Sequence, residues 1–185
     1  MYDTVEETIL IIPNSGVRIS LLVRNDEDTF KEFHRNDGSK SLRMLSSDYI
    51  TISFREGGNY TSVSVSYLCM ETFKEGMKEC EEFISDAFFT KDNTYFVKKG
   101  YENGFKIEDL CNGRSLLFIP YVDNNTSAGT SEPGVYLYFT EDTAAFISYS
   151  GFVAMVELCR KFDLYTASKM LINNAMLYEL VKDKK

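Results

Sequence analysis

The chain predicts an α+β fold of two ββββα repeats, antiparallel sheets packed on amphipathic helices, and three observations carry that prediction. From Tyr49 to Phe89, two runs of alternating apolar and polar residues flank the turn residues Glu56–Asn59 and lead straight into helical spacing. That is the pattern of a β-hairpin feeding an amphipathic helix. The same order of periods returns from Ser115 to about Phe162. Sliding one half along the other aligns Phe73, Met77, Cys80 and Phe83 with Phe152, Val156, Cys159 and Phe162, each 79 positions later. The preceding strand prefers an offset of 82, which pairs Val65–Tyr67 with Ile147–Tyr149, so the two strand-to-helix junctions differ by three residues. The repeats span residues 1–90 and 91–185, the second with an extra C-terminal helix, in one compact pseudo-symmetric domain.

In chain order, Ile9–Ile12 is a short apolar strand stopped by Pro13, and the turn residues Asn14–Gly16 lead into a strand over Val17–Arg24. Val17, Ile19, Leu21 and Val23 face the core, while Arg18, Ser20, Leu22 and Arg24 point away. Asn25 to Ser47 is a polar connection with a weak helical turn near Phe30 and a turn signal at Asn36–Gly38. In the central hairpin Ile50, Ile52 and Phe54 share a face with Val63, Val65 and Tyr67. Tyr49, Thr51, Ser53 and Arg55 lie on the other face with Ser62, Ser64 and Ser66. Phe73, Met77, Cys80, Ile84 and Ala87 then recur at spacings of three and four, with Glu75, Lys78, Glu79, Glu82 and Asp86 on the solvent side.

The polar gap at Lys91–Asn93 separates the halves. Tyr95–Lys99 and Phe105–Ile107 flank Gly100–Gly104 as a hairpin, and Ser115–Val122 follows as a strand. The Asn/Ser/Thr/Gly-rich loop Asp123–Gly134 joins it to Val135–Thr140, and Ala144–Tyr149 is a further strand. A helix opens near Ser150 and runs through Phe162. A last helix, capped by Thr166, carries Met170, Leu171, Leu177, Leu180 and Val181 and ends in the basic tail Lys182–Lys185.

With 185 residues, 44% of them hydrophobic, the chain can bury a sizeable core. A net charge of -8 and a pI near 4.8 disfavour a protein that holds nucleic acid by bulk counterion release, so any polyanion site must be local. Cys69, Cys80, Cys111 and Cys159 lack the short paired spacings of a zinc knuckle or redox dithiol and read as buried free thiols of a reducing cytosol. The acidic start MYDTVEETI has no signal-peptide pattern, and no run approaches the roughly 20 apolar residues that span a bilayer. A soluble cytoplasmic protein without membrane contact is expected, which makes the sequons at Asn59 and Asn124 coincidental.

Nothing here reads as an enzyme. The single histidine, His34, has no nucleophile motif beside it, and neither GxGxxG nor GxxxxGK[ST] occurs. Glu79, Glu81 and Glu82 are a solvated helix face rather than a divalent-ion site. No cofactor and no metal is expected.

The strand ending in Phe54–Glu56, the Gly- and Ser/Thr-rich turn, the Ser-bearing strand Ser62–Tyr67 and the helix start Met70–Lys74 resemble the single-stranded DNA-binding fold of transcriptional positive cofactor four. The duplicated ββββα order resembles the Whirly proteins, the guide-RNA-binding proteins of mitochondria and the purine-rich-element binders. At residue level the resemblance covers about Tyr49–Ile84. It implies a Whirly-like fold in which curved sheets display basic and aromatic residues to unpaired bases. The chain differs from those families in being acidic, in lacking Trp and in lacking Lys-rich strands.

The outward strand positions are the candidate nucleic-acid-binding residues: Arg18, Arg24, Tyr49 and Arg55 in the first half, Tyr136 and Tyr138 in the second. A ring stacked on a base contributes about 1 to 3 kcal/mol, so a few such residues can retain a strand on an acidic protein. Sequence-tolerant binding of single-stranded DNA or RNA is the expectation. Two other classes fit the composition. One is an acidic inhibitor or nucleic-acid mimic of the mobile-element or phage type, with a basic protein partner. The other is a structural homo-oligomer joined through sheet edges or the helix Ser168–Val181.

Overall fold

The computed structural model describes residues 3–25, 45, 47–89, 104–110, 113–122 and 133–182. Among them the strands are β1 (Asp3–Ile11), β2 (Val17–Asn25), β3 (Tyr49–Glu56), β4 (Asn59–Ser66), β5 (Phe105–Leu110), β6 (Arg114–Val122), β7 (Pro133–Thr140) and β8 (Thr143–Ser148). The helices are α1 (Met70–Phe89), α2 (Tyr149–Lys161) and α3 (Leu164–Lys182), with a 3-10 turn at Tyr67–Cys69. The strands form two four-stranded antiparallel sheets, β1-β2-β3-β4 and β5-β6-β7-β8. The fold is therefore α+β, built of two ββββα units.

Alternation along the strands decides which face is buried. Val17, Ile19, Leu21 and Val23 of β2, Ile50, Ile52 and Phe54 of β3, and Val63 and Val65 of β4 all lie in the core. β3 and β4 close through the two-residue turn Gly57–Gly58, with Glu56 opposite Asn59 and Gly57 at φ +59°. The β1–β2 turn docks on β3. The Arg55 amide donates to the Gly16 carbonyl at 3.1 Å, and a Cβ at Gly16, where φ is +74°, would sit 2.4 Å from the Arg55 carbonyl oxygen. Only glycine fits that approach.

The helices show the repeat most sharply. α1 starts at Met70 and α2 at Tyr149, the offset of 79, whereas β4 ends at Ser66 and β8 at Ser148, the offset of 82. The difference is the three-residue 3-10 turn Tyr67–Cys69, present only before α1. β8 instead enters α2 directly, with Ser148 Oγ accepting from the Gly151 amide at 3.1 Å as a side-chain cap. Glu81 of α1 and Arg160 of α2, themselves 79 apart, form an ion pair at 2.7 Å between the helices.

The repeats interlock. α1 lies against α2 and reaches across to β5 and β6, α2 covers β7 and β8, and α3 returns to cover β1 and β2. The last helix of the chain thus closes the first sheet. All these inner faces share one contiguous core, in which the Phe54 and Phe139 rings stack at 5.9 Å and those of Phe118 and Phe152 tilt together at 5.9 Å. The Arg114 guanidinium donates to the Ser62 carbonyl at the seam.

Several expectations change. β1 starts at Asp3, well before Ile9, because it pairs along the whole of β2, with a register shift between Thr8 and Leu10. Tyr67 leaves the core face of β4, being 44% exposed, because the strand stops at Ser66 and the 3-10 turn swings the chain away. Phe105–Leu110 pairs with β6, so the first described hairpin of the second sheet lies after Phe105. The proposed Tyr95–Lys99 arm lies outside the described residues. α3 starts at Leu164, ahead of Thr166, and its cap is Asp163, whose carboxylate accepts from the Tyr165 amide at 3.0 Å and from Thr166 Oγ1 at 2.8 Å. Among its described side chains Leu164, Ser168, Leu171 and Ile172 are buried and Met170 is exposed, while Leu177, Leu180 and Val181 have side chains outside the described set. Phe30, His34, Asn36–Gly38, Lys91–Asn93, Gly100, Cys111, Asn124 and the tail beyond Lys182 also lie outside the described residues. No helix among the described residues is long and apolar enough to cross a membrane.

Candidate nucleic-acid interface

Two outer sheet faces carry the candidate residues, and their chemistry is opposite. On the first sheet Glu6, Arg18, Ser20, Ser53, Arg55 and Tyr60 line a cleft of about 400 Å³. Strand register places them: Arg18 stands opposite Ser53, and Arg55 opposite Tyr60. The Arg55 guanidinium lies 5.6 Å from the centre of the Tyr60 ring, which is 58% exposed. Among the described residues neither Arg18 nor Arg55 pairs with a carboxylate. Two guanidiniums, Arg18 and Arg55, and one exposed carboxylate, Glu6, thus share the cleft.

Arg24 and Tyr49 sit on the same face, half-buried and outside this cleft. They flank a structural anchor instead. Asp48 is 2% exposed, and its carboxylate accepts from the Arg24 amide at 2.9 Å and the Leu45 amide at 3.2 Å. Its own carbonyl accepts from the Tyr67 amide at 3.0 Å. Through its carboxylate and its carbonyl, one buried residue thereby ties the end of β2 and the end of β4 to the start of β3, each bond satisfying a backbone donor.

The outer face of the second sheet is aromatic. Tyr136 lies 5.1 Å from Tyr121, 5.2 Å from Phe146 and 6.4 Å from Tyr138, ring centre to ring centre, in tilted and edge-on arrangements. Phe146 is the exposed member and the tyrosines are half-buried. Leu117 and Ile119 share the face and are buried. Gly134 makes room for the cluster, since a Cβ there would meet the Phe146 ring at 2.2 Å and the Ile147 carbonyl oxygen at 2.7 Å.

A groove of about 490 Å³ runs between the tips of the β3–β4 and β7–β8 hairpins, lined by Glu56, Asn59, Tyr60, Asp142, Thr143 and Ala144. Tyr60 belongs to both cleft and groove, and Ala144 is the register partner of Tyr138. None of Tyr121, Tyr136, Tyr138 and Phe146 lines the groove, and the carboxylates of Glu56 and Asp142 lie along it.

Of the six sequence-predicted residues, the structure places Arg18 and Arg55 in the cleft and Tyr136 and Tyr138 in the aromatic cluster. Sequence reasoning missed Tyr60, Tyr121, Phe146 and Glu6. The signals were present for two of them: Tyr60 faces Arg55 across a two-residue turn, and Phe146 alternates with the buried Ala145 and Ile147. Elsewhere, Glu71, Glu75, Glu79, Glu82 and Asp86 form an exposed stripe along α1, and the described residues contain no His/Cys/Asp/Glu group fit for a metal ion. Burial pushes the Cys159 thiol up to about 12, and burial with the neighbouring Glu81 pushes Cys80 higher still, so both are inert thiols rather than nucleophiles. No family model, curated protein or solved structure matches the chain.

Proposed function

We propose that the protein binds single-stranded nucleic acid, DNA or RNA, through the Arg18/Arg55 cleft and the aromatic face of the second sheet. The observation that carries this reading is the aromatic cluster Tyr121, Tyr136, Tyr138 and Phe146 on the outer face of the second sheet, together with a cleft on the first sheet whose two guanidiniums pair with no carboxylate among the described residues. Rings stack on any base, which suits sequence-tolerant binding, and unpaired bases alone offer a free face. The protein acts by binding rather than catalysis, in the cytoplasm, where its thiols stay reduced.

The test is fluorescence anisotropy with labelled single-stranded DNA and RNA oligonucleotides across a salt series. Two phosphate contacts predict a slope of about -1.4 in log affinity against log salt, at roughly 0.7 ion per contact on single strands. Phe146→Ala with Tyr138→Ala should weaken binding about five-fold or more, as loss of at least one stacked base does. Duplex of the same length should compete poorly. Failure of micromolar protein at low salt to bind either strand type defeats the reading.

The exposed carboxylate stripe of α1 favours a second reading, an acidic surface that occupies the basic groove of a protein partner. Retention of basic nucleic-acid enzymes by the immobilised protein, lost when Glu75, Glu79 and Glu82 are changed to Gln, would support it.

A further inference from the structure

We infer that Glu6 turns the cleft of the first sheet into a reader of base edges, one that prefers bases bearing an exocyclic amine, such as cytosine, over thymine and uracil. This deepens the single-strand reading and rests on it. Glu6 stands on the outer face of β1, opposite Leu22 in the register, and its exposed carboxylate lines the same cleft as Arg18, Arg55 and Tyr60. Yet it forms no ion pair with either guanidinium, and no described cation neutralises it.

A cleft built only to hold phosphate gains nothing from an unneutralised carboxylate, which repels the backbone. A carboxylate accepts hydrogen bonds and donates none. Its complement is an amino group, and the carboxylate–cytosine N4 contact is the corresponding edge pairing in base recognition. The remaining walls suit the rest of a nucleotide. Tyr60, backed by Arg55, offers a stacking face, Arg18 offers a phosphate contact, and the hydroxyls of Thr8 and Ser53 serve as donor or acceptor. At about 400 Å³ the cleft has the size of a small-ligand site. Thymine and uracil place the O4 carbonyl where cytosine has its amine, and their one donor, N3–H, is flanked by two carbonyl oxygens that repel the carboxylate.

The experiment is competition between oligodeoxycytidylate and oligothymidylate of equal length at pH 8, where cytosine is neutral and the two pyrimidines differ chiefly at the edge. The wild-type protein should prefer the cytosine strand by about three- to ten-fold, the worth of one net hydrogen bond. Glu6→Gln, whose amide both donates and accepts, should bring the two strands to within about two-fold of each other. Phe146→Ala should weaken both strands while leaving their ratio unchanged. Equal wild-type affinities, or a preference that survives Glu6→Gln in a protein of unchanged melting temperature, overturns the inference and leaves single-strand binding standing. If neither strand binds, both proposals fall together.

Discussion

Truncating Phe152 to alanine tests whether the two repeats share one core. Phe152 is fully buried on α2, its ring 5.9 Å from that of Phe118 on β6. Its counterpart Phe73 on α1 is equally buried. Phe→Ala at such a site costs about 3 to 5 kcal/mol through lost burial and the cavity left behind. Set against a total stability of about 5 to 15 kcal/mol, that is about a fifth of the whole or more. With a urea m-value of about 2 kcal/mol/M, the unfolding midpoint should fall by about 1.5 to 2.5 M. The readout is urea unfolding followed together by far-UV circular dichroism and tyrosine fluorescence, since tyrosines occur in both halves and Trp in neither. Because α1 reaches to β5 and β6 and α3 closes over β1 and β2, Phe73→Ala and Phe152→Ala should each lower one transition shared by both probes. A midpoint shift below about 0.3 M at unchanged m would show the helix face is wrongly assigned. Two separated transitions would show that the halves fold independently.

Three further outcomes follow from individual groups. Ser168 on α3 is fully buried and its hydroxyl has no hydrogen-bond partner, so Ser168→Ala should raise stability by about 1 kcal/mol, read by the same urea titration; a loss of that size refutes it. Asp163→Ala should cost about 1 kcal/mol at neutral pH, as loss of a helix cap does. The hydrogen bonds from Thr166 and Tyr165 hold the Asp163 carboxyl below its ordinary value. Its contribution is therefore fully present above that ordinary value and disappears as pH falls through the lower, folded one. Wild type and variant should converge at strongly acidic pH, and a constant difference across the range would contradict the assignment. Cys80 and Cys159 should resist thiol reagents at pH 8 until the protein unfolds, whereas half-buried Cys69 reacts sooner. Peptide mapping of the native, labelled protein decides this, and rapid modification of Cys80 would mean that α1 does not bury that face.

The residues named in the candidate interface divide by how local their determinants are. Arg18 and Arg55 could be read as outward from alternation with Val17, Ile19 and Phe54, and the cleft contains both. The same alternation turns Tyr136 and Tyr138 outward, and they are half-buried in an aromatic cluster because Tyr121 and Phe146 come from neighbouring strands. Arg24 and Tyr49 follow the same alternation but flank the Asp48 anchor, whose bonds to the Arg24 and Tyr67 amides join residues far apart in sequence. Glu6 and Tyr60 became visible as site residues only once β1 and β4 were placed around the same cleft.

By itself the sequence determined what depends on period and short-range chemistry: the strands of β2 to β4, the Gly57–Gly58 hairpin, the starts of α1 and α2, and the repeat offsets of 79 and 82. Even the three-residue discrepancy was legible, although its form, the 3-10 turn Tyr67–Cys69, was not. Side-chain direction in a strand or helix is fixed by a period of 2 or 3.6, which any short window contains. Tertiary structure alone decided that α1 reaches to the second sheet, that α3 covers the first, and that the hairpin tips meet around Tyr60. An apolar stripe states that a helix must be covered and is silent about what covers it. That choice is made by the shapes of surfaces dozens of residues apart, as at Phe54 and Phe139, whose rings meet across the seam of the two halves.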